Sequence, residues 1–411
     1  MESIRPTSFA PNGPCIRLAA DVASTTPRIY LDNAATSWPK PDAVYDAVDR
    51  YQRMLGAPAG RSAYREAVEA ERLVQDVRRQ IAQLMGVSEP HRIIFGHNGT
   101  DALNMAFSGI LRSGDHVVTT VVEHNSVLRP LKHLEQSRGI EVSRVSCGAD
   151  GIVEVDEIRR AIRPATRLIA MIHASNVTGA LQHVAEVGRL AKERDLLFLV
   201  DAAQSLGHVP FQVAELPVSL LAAPGHKGLL GPLGTGVLYV APGVEQILEP
   251  TRWGGTGTQS ENDIQPETLP DRYESGNHNV PGLVGLGAGV SHVRKEGVHQ
   301  IRNHEVQLTQ QLLAGLESIA GVKVYGPKDS SKQTGVVSIS VEGYDPQELA
   351  SLLDSSYSVQ VRSGLHCAPR MHASLQTAQR GGTVRFSLGL FNTAADINTT
   401  IHAIEEITAA E

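Results

Sequence analysis

Leu196-Leu197-Phe198-Leu199-Val200-Asp201-Ala202-Ala203-Gln204 is the stretch from which the fold can be worked out. Its apolar run, Leu196 to Val200, is strand-sized and predicts a strand buried on both faces, closed by the carboxylate of Asp201. Arg92 to Phe95, His116 to Val122 and Arg167 to His173 share this texture and predict further strands. Helical patterns lie among them at Asp101 to Leu111, Val127 to Ser137, Val155 to Ile162 and Val184 to Arg194. Such alternation predicts an α/β fold: a large domain with a mostly parallel sheet covered on both faces. Further on the texture changes. Val336 to Val341, Val359 to Arg362 and Thr383 to Leu388 read as strands, Asp345 to Leu353 and residues 394–409 as helices. A smaller C-terminal α+β domain is expected there, joined by a long helical bridge over 282–321. The expected division is an N-terminal extension, 1–27, a large domain, 28–290, and a small domain, 291–411. An arm over 28–45 is expected to pack near the small domain.

Composition narrows the class. The 411 residues carry 37 Lys+Arg against 44 Asp+Glu, a net charge of −7. With no basic cluster, nucleic acid is not an expected partner. The longest apolar runs are strand-sized, so no membrane span is expected. Three cysteines, Cys15, Cys147 and Cys367, make no disulfide framework and predict a reducing, cytoplasmic setting. Residues 1–27 hold Pro6, Pro11, Pro14 and Pro27 without an apolar core, which predicts a disordered extension and not a signal peptide. The 16 histidines are scattered, with no ligand spacing that points to a metal. Glycine spacings over Gly282 to Gly289 lack a preceding strand and an acidic partner, so helix packing explains them better than a dinucleotide.

In parallel sheets ligands gather beyond the carboxyl ends of the strands, and the polar residues fall there. Twenty-six positions after Asp201 comes Lys227, in Pro224-Gly225-His226-Lys227-Gly228. A lysine amine in a glycine-rich turn can form a Schiff base. A buried carboxylate can keep a pyridine nitrogen protonated, and together the two match the needs of pyridoxal 5'-phosphate (PLP). After Phe95, Gly96-His97-Asn98-Gly99-Thr100-Asp101 opens a helix whose free N–H groups suit a phosphate. Alone it reads as an ordinary glycine turn with a cap. His124, in Glu123-His124-Asn125-Ser126, offers a flat imidazole at a strand end, and Asn176 offers an amide to a ring hydroxyl. Each has a bland structural reading; four strand ends aimed at one point do not.

These stretches resemble the class V, fold-type I PLP enzymes, and among them the cysteine desulfurase and selenocysteine lyase family in its SufS-like branch. The likeness runs from Tyr30-Leu31-Asp32-Asn33-Ala34-Ala35-Thr36 to Thr383-Val384-Arg385-Phe386-Ser387-Leu388-Gly389. It rests most on the Glu123, His173-Ala174-Ser175-Asn176, Asp201, Gly225-His226-Lys227 and Arg362-Ser363-Gly364-Leu365-His366-Cys367 motifs. The resemblance implies Lys227 as Schiff-base lysine, His124 stacked on the ring, Asp201 on its nitrogen, and Gln204 and Asn176 near its oxygen. Gly99, Thr100, His226 and Asn277 are the implied phosphate contacts. Arg385, with Arg362 and Asn33, is placed at the substrate. A bidentate guanidinium would fix an amino acid's carboxylate. Cys367, in a small, polar loop with Arg362, His366 and Arg370 close in sequence, is the expected sulfur-accepting nucleophile. Lys227 and His124 complete the implied catalytic set. The resemblance further implies L-cysteine, or L-selenocysteine, as substrate, a persulfide on Cys367, and a sulfur-acceptor protein or small thiol. Sulfur supply to iron–sulfur cluster assembly and a homodimer, with Asn277 and Thr256 crossing to the other subunit, complete the expectation. The alternatives are a selenocysteine lyase, an aminotransferase or epimerase, or a weakly catalytic PLP-binding sulfur-relay protein.

Four positions depart from the family pattern. Pro224 stands where Ser or Thr is usual, and Gly99 where a second Thr is common. Asn277 replaces a Thr, and Tyr64 stands where His is common near the substrate entrance. Pro224 has neither hydroxyl nor N–H to offer a phosphate.

Overall fold

The computed structural model describes residues 28–60, 62–259 and 261–409. The extension expected over 1–27, with Cys15, lies outside the described residues. Among the described residues thirteen strands form: β1 (Ile29–Tyr30), β2 (Ile93–Gly96), β3 (His116–Thr120), β4 (Glu141–Val145), β5 (Thr166–Ile172), β6 (Leu197–Asp201), β7 (Leu220–Pro224), β8 (Gly236–Val240), β9 (Val322–Tyr325), β10 (Val336–Val341), β11 (Val359–Gln360), β12 (Arg362–Gly364) and β13 (Thr383–Ser387).

Seven of them form one sheet in the order β2-β8-β7-β6-β5-β3-β4. Only β8 runs against the rest: it is antiparallel to both β2 and β7, while β7-β6-β5-β3-β4 pair in parallel. The mostly parallel sheet read from the sequence is therefore present. Alternation along the strands explains why both faces are covered. Phe198 and Val200 of β6, with Ile169 and Met171 of β5, enter one apolar cluster. Leu199, Leu168 and Ala170 enter another on the opposite face. Side chains of period two thus feed two cores at once.

The second sheet is antiparallel, β12-β13-β10-β9. It shares a third cluster with Leu308, Leu312 and Leu316 of the helix Val298–Ser318 and with Ile397 and Ile404 of the helix Ala394–Ala409. Leu31 enters the same cluster from the N-terminal side, where β1 pairs in parallel with β11. The bridge expected as one long helix is two, Val280–Glu296 and Val298–Ser318, separated at Gly297 with φ of 82°. The run expected as a strand over Val359 to Arg362 is likewise split. Its first two residues pair with β1, whereas Arg362 begins β12 and pairs with β13.

One buried ion pair fixes the β2 end of the large sheet. Arg78 grips Glu274 through both terminal nitrogens at 2.7 and 2.8 Å, and Glu274 also accepts from the N–H of Phe95 at 2.5 Å. Among the described residues no helix is long and apolar enough to cross a membrane.

Candidate active site

Strands β2, β3, β5, β6 and β7 run the same way, so their carboxyl ends share one edge of the sheet. A cavity of about 220 Å³ opens there, lined among others by Gly99, Thr100, His124, Asn176, Asp201, Gln204, His226, Lys227, Arg362 and Arg385. Of the candidates from the large sheet's side, Asn33 and Asn277 are off that wall. The small sheet contributes the two arginines, from β12 and β13.

Asp201 is the last residue of β6 and is buried at 4% exposure. One oxygen accepts from the Ala203 N–H at 2.9 Å. Burial raises its pKa, opposed by that hydrogen bond and by the charge of Lys227. Such a carboxylate gains from a cation or a charged N–H beside it. Lys227 follows β7, and burial brings its amine down to about 8, with Asp201 pulling it up and Arg385 and Arg362 pushing it further down. Repulsion and desolvation act together to bring a minor but appreciable neutral fraction of the amine into the physiological pH range.

His124 caps the helix Asn125–Arg138: its Nδ1 accepts from the Ser126 N–H at 3.0 Å. Burial and the nearby cations, Lys227 first, lower its pKa to about 4. The ring is then neutral, and a neutral imidazole that accepts at Nδ1 carries its proton on Nε2. Ser126 also places its hydroxyl 2.8 Å from Nδ1 and 2.7 Å from the Thr100 hydroxyl.

Among the described residues, three buried polar atoms of cavity-lining side chains have no partner: Oδ1 of Asn176, Nδ1 of His226 and Nε of Arg385. Burial holds the His226 imidazole down at about 4. The other end of the Asn176 amide donates to the His366 carbonyl at 2.5 Å, which aims Oδ1. Gln204 donates to the Ala34 carbonyl at 3.0 Å.

Arg385 is buried at 1% exposure. One terminal nitrogen donates to Asp32 at 2.6 Å, the other to the Asn176 carbonyl at 3.1 Å, and Nε has no partner. Cys367 does not line the cavity, but Arg362, which does, donates to its sulfur at 3.3 Å. Its loop is tightly held: His366 and Cys367 both have left-handed φ, 45° and 60°, and the Asn125 N–H donates to the Cys367 carbonyl at 2.7 Å. Cys147 is half-buried beside Met371, with its thiol pKa raised by burial.

Two candidates sit elsewhere. The Asn33 side chain donates to the Ser387 carbonyl at 3.0 Å and to Asn392 at 3.2 Å, and accepts from the Trp38 N–H at 3.3 Å. Its amide is consumed in tying the N-terminal arm to β13, and Ala34 and Ala35 line the cavity instead. Asn33 itself is not among the residues that line the cavity. Asn277 lines a separate small groove with His97, Arg252 and His278. Asp32 and Ser126 stood within quoted motifs but were given no role by sequence reasoning. A hydroxyl two residues beyond a strand-end histidine, at a helix start, was the available signal for Ser126. Lys40 gave none: its amine bonds Ser37 Oγ at 2.7 Å and the His226 carbonyl at 2.8 Å, and burial lowers its pKa to about 8.

The aminotransferase class-V family model matches residues 29–399. A protein of Methanothermobacter thermautotrophicus named a probable cysteine desulfurase is 37% identical over 391 residues, covering 94% of this chain and 96% of its own length. A cysteine desulfurase of Yersinia pseudotuberculosis is 31% identical, covering 93% of each. The apo structure of a cysteine desulfurase from Thermococcus onnurineus superposes with a TM-score of 0.88 at 33% identity, covering 93% of this chain and 95% of that one.

Proposed function

The chain belongs to the aminotransferase class-V family, and within it to the cysteine desulfurases; from that premise we propose that it removes sulfur from L-cysteine with PLP, giving L-alanine and a persulfide on Cys367. The observation that carries this reading is the meeting of Lys227, Asp201 and His124 on one cavity that also holds unpartnered Asn176 Oδ1 and His226 Nδ1. That donor set fits PLP: a ring nitrogen for Asp201, a ring hydroxyl for Asn176, a phosphate for His226. Bound there, PLP supplies an aldehyde that holds the substrate nitrogen and a ring that accepts electrons from the α-carbon.

Each residue then has a task. Lys227 would hold the cofactor and, in its neutral form, take the α-proton. His124 would help hold the cofactor ring, with its Nε2–H available to the cavity. Arg385 turns its free N–H toward the substrate carboxylate and so fixes the α-C–H bond. The Cys367 thiolate attacks the substrate sulfur: an S–S bond forms and the C–S bond breaks, its electron pair staying on carbon, which is protonated on the way to alanine. The small unit, 291–411, brings Arg362, Cys367 and Arg385 to the large one, 28–290. A sulfur-acceptor protein or small thiol then takes the terminal sulfur, in a reducing compartment such as the cytoplasm. We further read the molecule as a homodimer in the SufS-like branch, with Asn277 facing the other subunit's cofactor.

The test is a visible absorption band bleached by borohydride, together with alanine formed from L-cysteine. Cys367→Ser is expected to abolish alanine formation from L-cysteine. If that variant still acts on selenocysteine, the protein is a selenocysteine lyase; if turnover of a sulfur-free amino acid is unaffected, it is an aminotransferase or epimerase. A band without alanine from L-cysteine would leave a weakly catalytic PLP-binding sulfur-relay protein.

A further inference from the structure

Gly99 and Pro224, from different strand ends, face each other across the cavity wall. A Cβ built on Gly99 would lie 3.1 Å from Pro224 Cδ and 3.3 Å from its nitrogen. Contacts that close are tighter than side chains normally accept, and a ring closed onto its own backbone has little freedom to retreat. Neither residue brings a hydroxyl to this end of the cavity. Beside them, Thr100 and Ser126 turn their hydroxyls to one another at 2.7 Å. Asn98 caps the helix Gly99–Ile110 by accepting from the Asp101 N–H at 2.9 Å, so the first helical N–H groups, at Gly99 and Thr100, are left to a ligand. The unpartnered His226 Nδ1 belongs to the same wall.

We propose that Gly99 and Pro224 form a mutually dependent pair, the missing Cβ making room for the pyrrolidine ring, and that Ser126 joins Thr100 as a hydroxyl donor to the cofactor's phosphate. The inference rests on the PLP reading and adds to it a residue and a steric coupling. Ser126 is suited to the role because its backbone N–H is already spent on His124 Nδ1. Its hydroxyl needs only to rotate from Thr100 Oγ1 or His124 Nδ1 toward an anion. Thr100 and Ser126 satisfy one another until the phosphate arrives, so neither hydroxyl is orphaned in the meantime.

The experiment measures affinity, not turnover. Apoprotein is titrated with PLP, and separately with pyridoxal, which lacks the phosphate, while the visible band is followed. Ser126→Ala is expected to weaken PLP binding roughly 10-fold, the loss of one hydrogen bond to a charged group. Pyridoxal affinity should stay unchanged, and Ser126→Thr should restore PLP affinity. Equal losses for PLP and pyridoxal would mean that Ser126 acts through His124, and no loss would remove it from the site; either overturns its role. Gly99→Ala is expected to weaken PLP binding several-fold alone but not in the Pro224→Ala background. Additive effects of Gly99→Ala and Pro224→Ala would overturn the coupling. Absence of any band in the unaltered protein would instead defeat the PLP reading itself, a result distinguishable from all of these.

Discussion

At the scale of single residues, the site depends on charges held where water is scarce. Arg385 already spends N–H groups on Asp32 and on the Asn176 carbonyl, so its position is set before any substrate arrives. Lysine in its place keeps the charge and loses the planar fork. Arg385→Lys is expected to raise the KM for L-cysteine by about 10-fold or more, while the PLP band is unchanged. An unchanged KM would remove Arg385 from the substrate. Lys227 offers a second test. Its amine is pulled to about 8 by burial, helped by Arg385 and Arg362. A lowered amine pKa means that the reactive, neutral form is complete above about pH 8 and falls away tenfold per unit below it. The rate at which apoprotein takes up PLP should therefore climb with pH and level off near 8. Replacing Arg362 with alanine removes one repelling cation and should move that bend upward. A bend near 10.5, or a downward move in the variant, would contradict the assigned environment.

Elements carry these residues to one place, and they differ in how far the sequence reveals them. Asp201, Lys227 and His124 were legible because each is a polar side chain ending or following a buried run, and polarity at that point has few structural excuses. Of the strands that lead to them, β3 and β6 were legible from apolar length alone, whereas β7, which precedes Lys227, was not read as a strand. Partner choice was not. Val359 to Arg362 reads as one run, yet β11 pairs with the N-terminal arm and β12 with β13, and nothing in alternation encodes a change of partner. Asn33 sits in a motif that borders the cavity, but its amide direction depends on Ser387 and Asn392, more than 350 residues away in the chain. The cysteine loop shows the same dependence: the Cys367 carbonyl is held by the first N–H of the helix Asn125–Arg138. Proline is well tolerated at the first helical position, and extended His124 can precede it, so Asn125→Pro removes this donor without a cost to the helix. With about 1 kcal/mol of restraint gone, alkylation of Cys367 should quicken several-fold while Cys147, half-buried elsewhere, serves as the internal reference. Equal rates before and after the substitution would show that this contact does not restrain the loop.

Across the whole molecule, the N-terminal arm is the shared part. Leu31 is fully buried in the cluster of the small sheet. The next few residues cross to the cavity, where Asp32 holds Arg385, the Ala34 carbonyl takes the Gln204 amide, and Ser37 bonds the carbonyls of His226 and Lys227. One short segment is thus packed into one core and hydrogen-bonded to the wall built on the other. Its apolar anchor and its polar contacts act on each other through a chain of adjacent residues with little slack. Leu31→Ala removes buried methyl groups from a site whose neighbours cannot fully collapse, and should cost roughly 2–5 kcal/mol of stability. The effect should not stop at the small core. If the arm is loosened, Gln204 and Arg385 lose fixed partners, and PLP affinity should fall several-fold although Leu31 does not line the cavity. Urea unfolding followed with and without PLP reads both quantities, because ligand that binds only the folded chain raises its midpoint by an increment that grows with the logarithm of its affinity. A variant that loses stability but gains the same increment from PLP as the unaltered protein would show that the arm serves the small core alone, and that the cavity wall is held without it.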